Sequence, residues 1–275
     1  MSKVVLALVP HPDDAEFSAG GLLAKLAAEG ARVHIVVATD GRRGSFEADS
    51  DTLIALRAEE MRRAAAVLGA EPPILLGYPD GELDTLPAGV LRERFIRAIR
   101  QFKPDVVVTQ DPYAFFEPHP DHRVVAWAAT EALNFSRMPL FHPEHLAEGL
   151  APHLVVEKYF YANVPTLANR CVDISDYLAR KVAALAEHRS QMTFLVAGVL
   201  YEAEAAGLNP RAMFGAEVDN PAALLGWAMQ VEAAKVGQQF GVRYGEAYRF
   251  ERFTPLIESV LAQAAGGEVQ NGGLA

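Results

Sequence analysis

The chain has 275 residues, of which 51% are hydrophobic, and a formal net charge of −10. This length and composition suit one large α/β domain, or two small ones, with a sizeable buried core. The acidic balance argues against nucleic-acid binding and against a polybasic membrane anchor, because both need clustered positive charge. Cys171 is the single cysteine, so an internal disulfide is excluded and a metal site must use His, Asp and Glu.

Targeting and membrane segments are not evident in the sequence. No run reaches the roughly 18 apolar residues of a membrane span. The apolar start, Val4–Val9, is interrupted at Pro10 and is too short for the core of a signal peptide. We therefore predict a cytoplasmic protein with no membrane partner, in which Val4–Val9 is a buried first strand.

The first half of the chain alternates short apolar runs with helical segments. Four runs lack polar alternation, which is typical of strands buried on both faces of a parallel sheet: Val4–Val9, Arg32–Ala38, Ile74–Leu76 and Asp105–Thr109. Helical spacing predicts three segments between them: Ala19–Glu29, Thr52–Leu68 and Leu91–Phe102. This order predicts βαβ units in a Rossmann-like α/β fold, whose twisted, mostly parallel sheet has the strand order 3-2-1-4-5 and is flanked by helices.

The second half is less regular. Residues 134–153, rich in Pro and His, predict a long loop or insertion, which is also our candidate contact for a homo-oligomer. The remaining predicted elements are a strand at Glu157–Ala162, a helix capped by Ser175 or Asp176 and running to about Gln191, and helices near Leu195–Ala206 and Ala222–Lys235. We expect a single domain over residues 1–265 and a disordered, Gly-rich tail at residues 266–275.

Two clusters of His, Pro and Asp follow predicted strands. His11-Pro12-Asp13-Asp14 comes directly after the first strand, and His119-Pro120-Asp121-His122 follows the strand at Asp105–Thr109. Open α/β sheets bind ligands at the carboxyl ends of their strands, so neighbouring strands would bring both clusters to one crevice. Either cluster alone is a weak signal, and the plainer interpretation of the first is an Asp helix cap with a chance His nearby.

These residue types fit a metal-dependent hydrolytic site. His11, Asp14 and His122 can hold zinc while leaving the rest of its coordination open to water and substrate. Asp13 lies beside these residues and is free to take the proton of a metal-activated water. The same kind of ligand set also holds Fe(II) in oxygenases, so the metal is open at this point.

Two further residues of the second cluster have candidate roles. His119, as an imidazolium, can stabilise an oxyanion or protonate a leaving amine. The carboxylate of Asp121 can orient one of the metal-binding imidazoles by accepting a hydrogen bond from the ring nitrogen that does not bind the metal. Both assignments depend on the two clusters facing each other.

The HPDD and HPDH pair resembles the LmbE/PIG-L family of zinc-dependent de-N-acetylases, and the resemblance covers most of the chain. Supporting similarities are found at Thr39–Gly41, Arg57–Glu60, Tyr78–Gly81, Lys181–Gln191 and Gly245–Tyr248. The resemblance implies a zinc hydrolase that removes the acetyl group of an N-acetylated amino sugar, of the N-acetylglucosamine type or a conjugate of it. It implies these roles: zinc ligands His11, Asp14 and His122; general base Asp13; charged oxyanion partner His119; and substrate-side residues Arg57, for hydroxyls or phosphate, and His188.

Several residues keep a second interpretation. Without the resemblance, Arg57 is also readable as a solvated helix charge paired with Glu60, and His188 as a core histidine. Some family members carry, where this chain has Glu117, a Tyr that donates a hydrogen bond to the oxyanion. In this chain either another group takes that role or Tyr113 reaches in from the nearby aromatic loop. The histidines of residues 134–153 are expected at the surface rather than at a second metal site.

Two other classes of function stay open from the sequence. One is a nucleotide-sugar or dinucleotide-binding enzyme on the same fold, although Gly20-Gly21 lacks the G-x-G-x-x-G pattern and Asp13-Asp14 would repel a pyrophosphate. The other is a non-catalytic metal-binding protein, in which Asp13 would have no purpose. A small-molecule sugar substrate, rather than a nucleic acid or a membrane, is the partner that the sequence favours.

Overall fold

The computed structural model describes residues 2–264, so the tail predicted at residues 266–275 lies outside the described residues. Seven strands form one sheet: β1 Val4–Val9, β2 Arg32–Thr39, β3 Ile74–Tyr78, β4 Val106–Gln110, β5 Glu157–Tyr161, β6 Arg170–Asp173 and β7 Gly245–Glu251. Their order across the sheet is β3-β2-β1-β4-β5-β7-β6. The first five positions confirm the predicted order.

The sheet is parallel through β5 and antiparallel beyond it. β1 pairs in parallel with β2 and β4, and β4 pairs in parallel with β5. β7 then pairs antiparallel with both β5 and β6. The mixed α/β architecture with a mostly parallel sheet is therefore as predicted, and the antiparallel edge is an addition to it.

Helices flank the sheet on both faces: α1 Asp14–Ala28, α2 Ser50–Leu68, α3 Val90–Phe102, α4 Pro120–Phe135, α5 Glu144–Ala147, α6 Leu178–Leu185, α7 Arg189–Ala205, α8 Pro210–Phe214, α9 Pro221–Phe240 and α10 Pro255–Ala264. Short 3₁₀ turns lie at Leu83–Thr85 and Gly215–Asp219. Within residues 2–264, no helix combines the length and apolar composition needed to cross a membrane.

Strand β1 lies at the centre of two hydrophobic layers. All six of its residues are buried. Val5, Ala7 and Val9 face the layer that contains α1, whereas Leu6 and Leu8 face the layer of α3 and α4. Because successive side chains of a strand point to opposite faces, a strand covered on both sides must be apolar throughout. This burial fixes the point at which β1 ends and the HPDD cluster begins.

The predicted helix from Ser175 or Asp176 to Gln191 is wrong, because the chain forms two helices there. α6 begins at Leu178 and ends at Leu185, and α7 begins at Arg189. Glu60 of α2 explains the second start, since its carboxylate accepts hydrogen bonds from the Ser190 amide (2.9 Å) and hydroxyl (2.6 Å). A carboxylate at a helix N-terminus satisfies free amides and favours starting the helix there.

The insertion at residues 134–153 is ordered around Arg100 of α3. This buried guanidinium donates to four backbone carbonyl oxygens, those of Ser136, Met138, Phe141 and His142. His145 is also fully buried, so its predicted surface position is wrong. Its Nδ1 lies 3.2 Å from Arg100 Nη1 and its Nε2 lies 2.8 Å from Glu93 Oε1. Both ring nitrogens are therefore engaged, and neither is left to bind a metal with the nearby His142 and Glu144.

Candidate active site

A cavity of about 500 Å³ opens at the carboxyl ends of the parallel strands. The segments that follow β1, β2, β3 and β4 reach it, as expected for an open α/β sheet. Its polar lining consists of His11, Asp13, Asp14, Ser18, Arg43, Arg57, Asp80, His119, His122, Asn163 and Gln191. The two His-Pro-Asp clusters thus share one cavity.

Three side chains converge at the base of this cavity. His11 Nδ1 lies 3.1 Å from Asp14 Oδ2 and 3.2 Å from His122 Nε2. His122 Nε2 lies 3.6 Å from Asp14 Oδ1. Ligand atoms bound at 2.0–2.1 Å to a tetrahedral ion lie about 3.3 Å from one another, and the distances of this triangle, which involve both oxygens of Asp14, are close to that value. The two nitrogens and the carboxylate fit a divalent metal in both spacing and chemistry.

Carboxylates hold the outer nitrogen of His11. Its Nε2 lies 3.1 Å from Asp80 Oδ1 and 3.2 Å from Asp121 Oδ2. Asp121 in turn accepts hydrogen bonds from the backbone amides of Gly81 (2.6 Å) and Leu83 (3.0 Å). A proton on Nε2 satisfies these carboxylates and leaves the Nδ1 lone pair directed at the triangle. Burial alone would lower the pKa of His11, but the hydrogen bonds with these carboxylates raise it well above its ordinary value.

Glu117 lies at ion-pair distance from the outer nitrogen of His122. Glu117 Oε2 lies 3.2 Å from His122 Nδ1 and accepts hydrogen bonds from Asn163 (3.0 Å) and Gln110 (3.3 Å). Its other oxygen accepts from the His119 amide at 3.1 Å. Burial would raise the pKa of Glu117, but His122 and the His119 amide hold it below the ordinary value. The residue at this position is therefore an acceptor that orients an imidazole.

Tyr113 does not take the place of the missing tyrosine. Its side chain is 54% exposed and packs edge-on against Trp127, with ring centroids 5.6 Å apart. It is not part of the cavity lining.

Asp13 has the position of a helix cap but not its hydrogen bond. It precedes α1, yet its side chain makes no capping bond, and its φ of 139° is rare for a residue other than glycine. Such a conformation costs on the order of 1–3 kcal/mol and is most common at functional sites. Burial raises the pKa of the Asp13 carboxyl to about 6, although the Arg57 guanidinium opposes this rise. The simple capping interpretation of this aspartate does not fit.

Arg57 is buried behind Asp13. Its Nη2 donates to Asp13 Oδ1 (3.2 Å) and to the Pro12 carbonyl (2.7 Å), and its Nη1 donates to the Gly41 carbonyl (3.0 Å). A Cβ at residue 41 would lie 2.5 Å from Nη1, which explains the glycine there. Arg57 does not pair with Glu60, which binds Ser190 instead. The guanidinium therefore ties together the loops after β1 and β2.

His119 lines the cavity, and one of its ring nitrogens is occupied by the backbone. It is the N-cap of α4, where its Nδ1 accepts from the Asp121 amide at 3.2 Å. The proton of the neutral ring is then on Nε2. Burial and the neighbouring His11 and His122 lower the pKa of His119, which disfavours the charged imidazolium expected from the sequence. The ring lies 4.6 Å, centroid to centroid, from that of His11.

His188 is not brought to the cavity with the other predicted residues. It is fully buried, and its Nε2 lies 3.4 Å from Oε2 of Glu16, which is also fully buried. Burial lowers the pKa of His188, but Glu16 opposes this effect, and the net result is a pKa above the ordinary value. Asp13 also contributes to the rise. His188 is absent from the cavity lining.

The sequence interpretation missed two acidic residues of this site. Asp80 follows β3 in the segment Tyr78–Gly81, so its place at the carboxyl edge of the sheet was a usable signal. Glu117 was noted only as the position where some family members carry Tyr, and its contact with the outer nitrogen of His122 was not predicted. Asn163 and Gln191 also line the cavity, and although a strand end at Ala162 and a helix end at about Gln191 were predicted, no role was expected for either side chain.

Comparison with known proteins agrees with this geometry. The family model described as GlcNAc-PI de-N-acetylase (PIG-L) matches residues 6–133, which include both His-Pro-Asp clusters. A diacetylchitobiose deacetylase of Thermococcus kodakarensis is 35% identical over 192 residues, covering 69% of this chain and 70% of that protein. A probable N-acetyl-α-D-glucosaminyl L-malate deacetylase 2 of Bacillus anthracis is 27% identical, covering 73% of this chain and 86% of that protein.

A solved structure is similar along nearly the whole chain. The N,N'-diacetylchitobiose deacetylase from Pyrococcus horikoshii, in complex with an inhibitor, superposes with a TM-score of 0.74 and 30% sequence identity. The match covers 94% of this chain and 89% of that protein. Sequence, fold and the convergence of the two clusters lead to one assignment: the chain belongs to the PIG-L (GlcNAc-PI de-N-acetylase) family.

Proposed function

We propose that the protein is a zinc-dependent hydrolase that removes the acetyl group from an N-acetylglucosamine-type sugar or conjugate. One observation carries this proposal: His11, Asp14 and His122 converge at the base of the cavity, and the carboxylate of Asp13 lies in the same cavity, uncommitted to capping a helix. The names of the relatives, which are deacetylases of diacetylchitobiose and of N-acetylglucosaminyl malate, support the substrate class.

We assign the metal to His11, Asp14 and His122. Two imidazoles and one carboxylate form a common catalytic zinc set, although other divalent metals bind the same groups. When bound there, zinc polarises an amide carbonyl and lowers the pKa of water. Asp80, Asp121 and Glu117 hold the two imidazoles in the required orientation, since each contacts an outer ring nitrogen.

The proton transfers fall to Asp13. Its carboxylate accepts the proton of the attacking water, and the resulting acid returns a proton to the departing nitrogen, which leaves as a free amine together with acetate. Arg57 keeps this carboxylate in place through its bonds to Asp13 and the Pro12 carbonyl. His119 donates its Nε2 proton in a hydrogen bond to the carbonyl oxygen as negative charge develops there.

The experiment is release of free amine from N-acetylglucosamine and diacetylchitobiose by purified enzyme, metal-stripped and then zinc-restored. We expect zinc-dependent release on at least one sugar. Asp13→Asn should retain its zinc but lose about 10²–10⁴-fold in kcat. Asp51→Asn, at an exposed position of α2, is the matched control and should behave as the wild type. Full hydrolysis by Asp13→Asn would contradict the proposed role.

No observation on residues 2–264 favours the other two classes of function. Asp13 and Asp14 stand where a dinucleotide phosphate would have to bind, at the N-terminus of α1. A non-catalytic metal protein would not account for the strained Asp13, and the same Asp13→Asn assay separates the two cases. A single domain over residues 1–265, a cytoplasmic location and self-association stay predictions.

A further inference from the structure

A second, smaller cavity lies beside the active-site cavity. It has a volume of about 240 Å³, and three residues line both cavities: Phe17, Ser18 and Asn163. A single layer of side chains therefore separates the two spaces. We call the second space the side cavity; its other walls come from the end of β5, from α6, from α9 and from the start of β7.

The hydroxyl of Tyr161 is a buried polar group at this cavity. Tyr161 ends β5 and lines the side cavity, yet its hydroxyl oxygen is buried and has no hydrogen-bond partner among residues 2–264. Burial, with the nearby carboxylates of Asp14 and Glu117, raises the pKa of this hydroxyl well above its ordinary value, so it stays protonated. A buried hydroxyl without a partner destabilises a fold, and a ligand that accepts its hydrogen bond would explain it.

The Lys181 ammonium supplies further donors at the same cavity. Within the described part of the chain, its Nζ makes one hydrogen bond, to Glu246 Oε1 at 2.7 Å. That carboxylate is saturated, because it also accepts from the amides of Gly21 (2.9 Å) and Leu22 (2.8 Å) and from the Tyr248 hydroxyl (2.7 Å). An ammonium has three N–H donors, so two remain for a ligand in the side cavity.

Another wall of the side cavity is apolar. One face of α9 contributes Met229, Ala233 and Val236, at helical spacing. Glu232 also lies on this wall, but its side chain is 60% exposed, so water screens its charge. A ligand in the side cavity thus meets hydrogen-bond donors on one wall and a hydrocarbon surface on another.

We propose that the side cavity binds a short carboxylate, and that it receives the acetate released by deacetylation. The inference rests on the proposed function. The carboxylate of this ligand accepts hydrogen bonds from Tyr161 and Lys181, and its methyl group packs on α9. The volume of about 240 Å³ is below the roughly 300–1,000 Å³ of sites for drug-sized ligands, which suits a smaller molecule. Side-chain rotation in the shared layer would let acetate leave the metal while the sugar amine still fills the active-site cavity.

Equilibrium dialysis of the zinc-loaded enzyme against radiolabelled acetate tests this site. We expect the wild type to hold acetate at two places, the metal and the side cavity. Tyr161→Phe should weaken binding at the second place about tenfold, because it removes a hydrogen bond to a charged group. Tyr201→Phe, at a 75% exposed tyrosine outside the cavity lining, is the matched control and should bind acetate as the wild type does. Acetamide, which is uncharged and of similar size, should displace this acetate at least about tenfold less well.

Stability measurements separate a ligand site from a structural role of the hydroxyl. Tyr161→Phe removes a group with no partner among residues 2–264, so its midpoint of urea unfolding should equal or exceed that of the wild type. A lower midpoint would show that the hydroxyl bonds within the fold, and would overturn the site.

The two proposals fail separately. Acetate binding that depends on Tyr161, in a protein that hydrolyses no sugar, would leave the side cavity a carboxylate site and refute only the proposed reaction. Acetate held at the metal alone, or held equally by wild type and Tyr161→Phe, would overturn the side-cavity site while leaving deacetylation intact.

Discussion

Replacing Arg57 by lysine separates two roles for a buried guanidinium. The sequence suggested contact with substrate hydroxyls or phosphate, whereas the side chain is bonded to Asp13 and to the carbonyls of Pro12 and Gly41. If it positions the general base, its loss should appear in kcat. If it binds substrate, its loss should appear in KM.

The magnitude follows from the three hydrogen bonds. A lysine ammonium at this place can reach about one of the three acceptors, so two charge-assisted bonds are lost. At roughly 1.5 kcal/mol each, the lower end for such bonds, Arg57→Lys should reduce the free energy of unfolding by about 3 kcal/mol. Freed from two of its anchors, the loop that carries Asp13 can shift, and a displacement of about 1 Å lowers the rate by about 10²-fold.

Steady-state kinetics and urea denaturation of Arg57→Lys measure both effects. We expect kcat to fall about 10²-fold, KM to change less than about threefold, and bound zinc to be unaltered. Arg62→Lys is the matched control, because Arg62 lies on the same helix, is exposed and pairs with Glu59, which is also exposed. A rise in KM at unchanged kcat would refute the positioning argument and restore the substrate-binding interpretation.

Three further predictions follow from the contacts. Chelation should abolish amine release, and added zinc should restore it in proportion to the metal bound, as followed by elemental analysis; activity that persists in metal-free protein would exclude the mechanism. Glu117→Ala should weaken zinc binding about 10–100-fold in a competition assay with a chromophoric chelator, whereas Glu131→Ala at the surface of α4 should not. Glu246→Ala should lower the free energy of unfolding by about 3–5 kcal/mol in urea denaturation, because it leaves the buried Lys181 ammonium unpaired. Glu232→Ala, at an exposed glutamate, is the control, and equal losses of stability in the two variants would contradict the argument.

The parallel half of the fold was predictable because burial on both faces of a strand produces a pattern within the strand's own sequence. Strands covered on both faces must be apolar throughout, and β1 is buried at every position. The point where such a run stops is then visible in the sequence, and polar residues beyond it lie at the ligand-binding edge. This reasoning places His11 and His122 at that edge from the sequence alone, and the same rule applied to β3 would have found Asp80.

The rest depends on contacts that leave no local signal. β6 has only one buried residue of four, so its sequence has no pattern that distinguishes a strand from a loop. The acceptors of Arg57 include two backbone carbonyls, which every residue possesses. The break before α7 comes from Glu60, which is 130 positions away from Ser190 along the chain. The helical periodicity of a segment cannot predict that a carboxylate from another helix will bind the amide of Ser190 and start a new helix there.

The metal-binding triangle and Asp13 are held by different parts of the chain, and this has a consequence for the chemistry. The triangle depends on strand ends and on carboxylates such as Asp80 and Glu117, whereas Asp13 is held by Arg57 of α2. Arg57 also anchors the loop after β2 at the Gly41 carbonyl. Loss of the Arg57 hydrogen bonds can therefore lower the rate while the bound metal is retained.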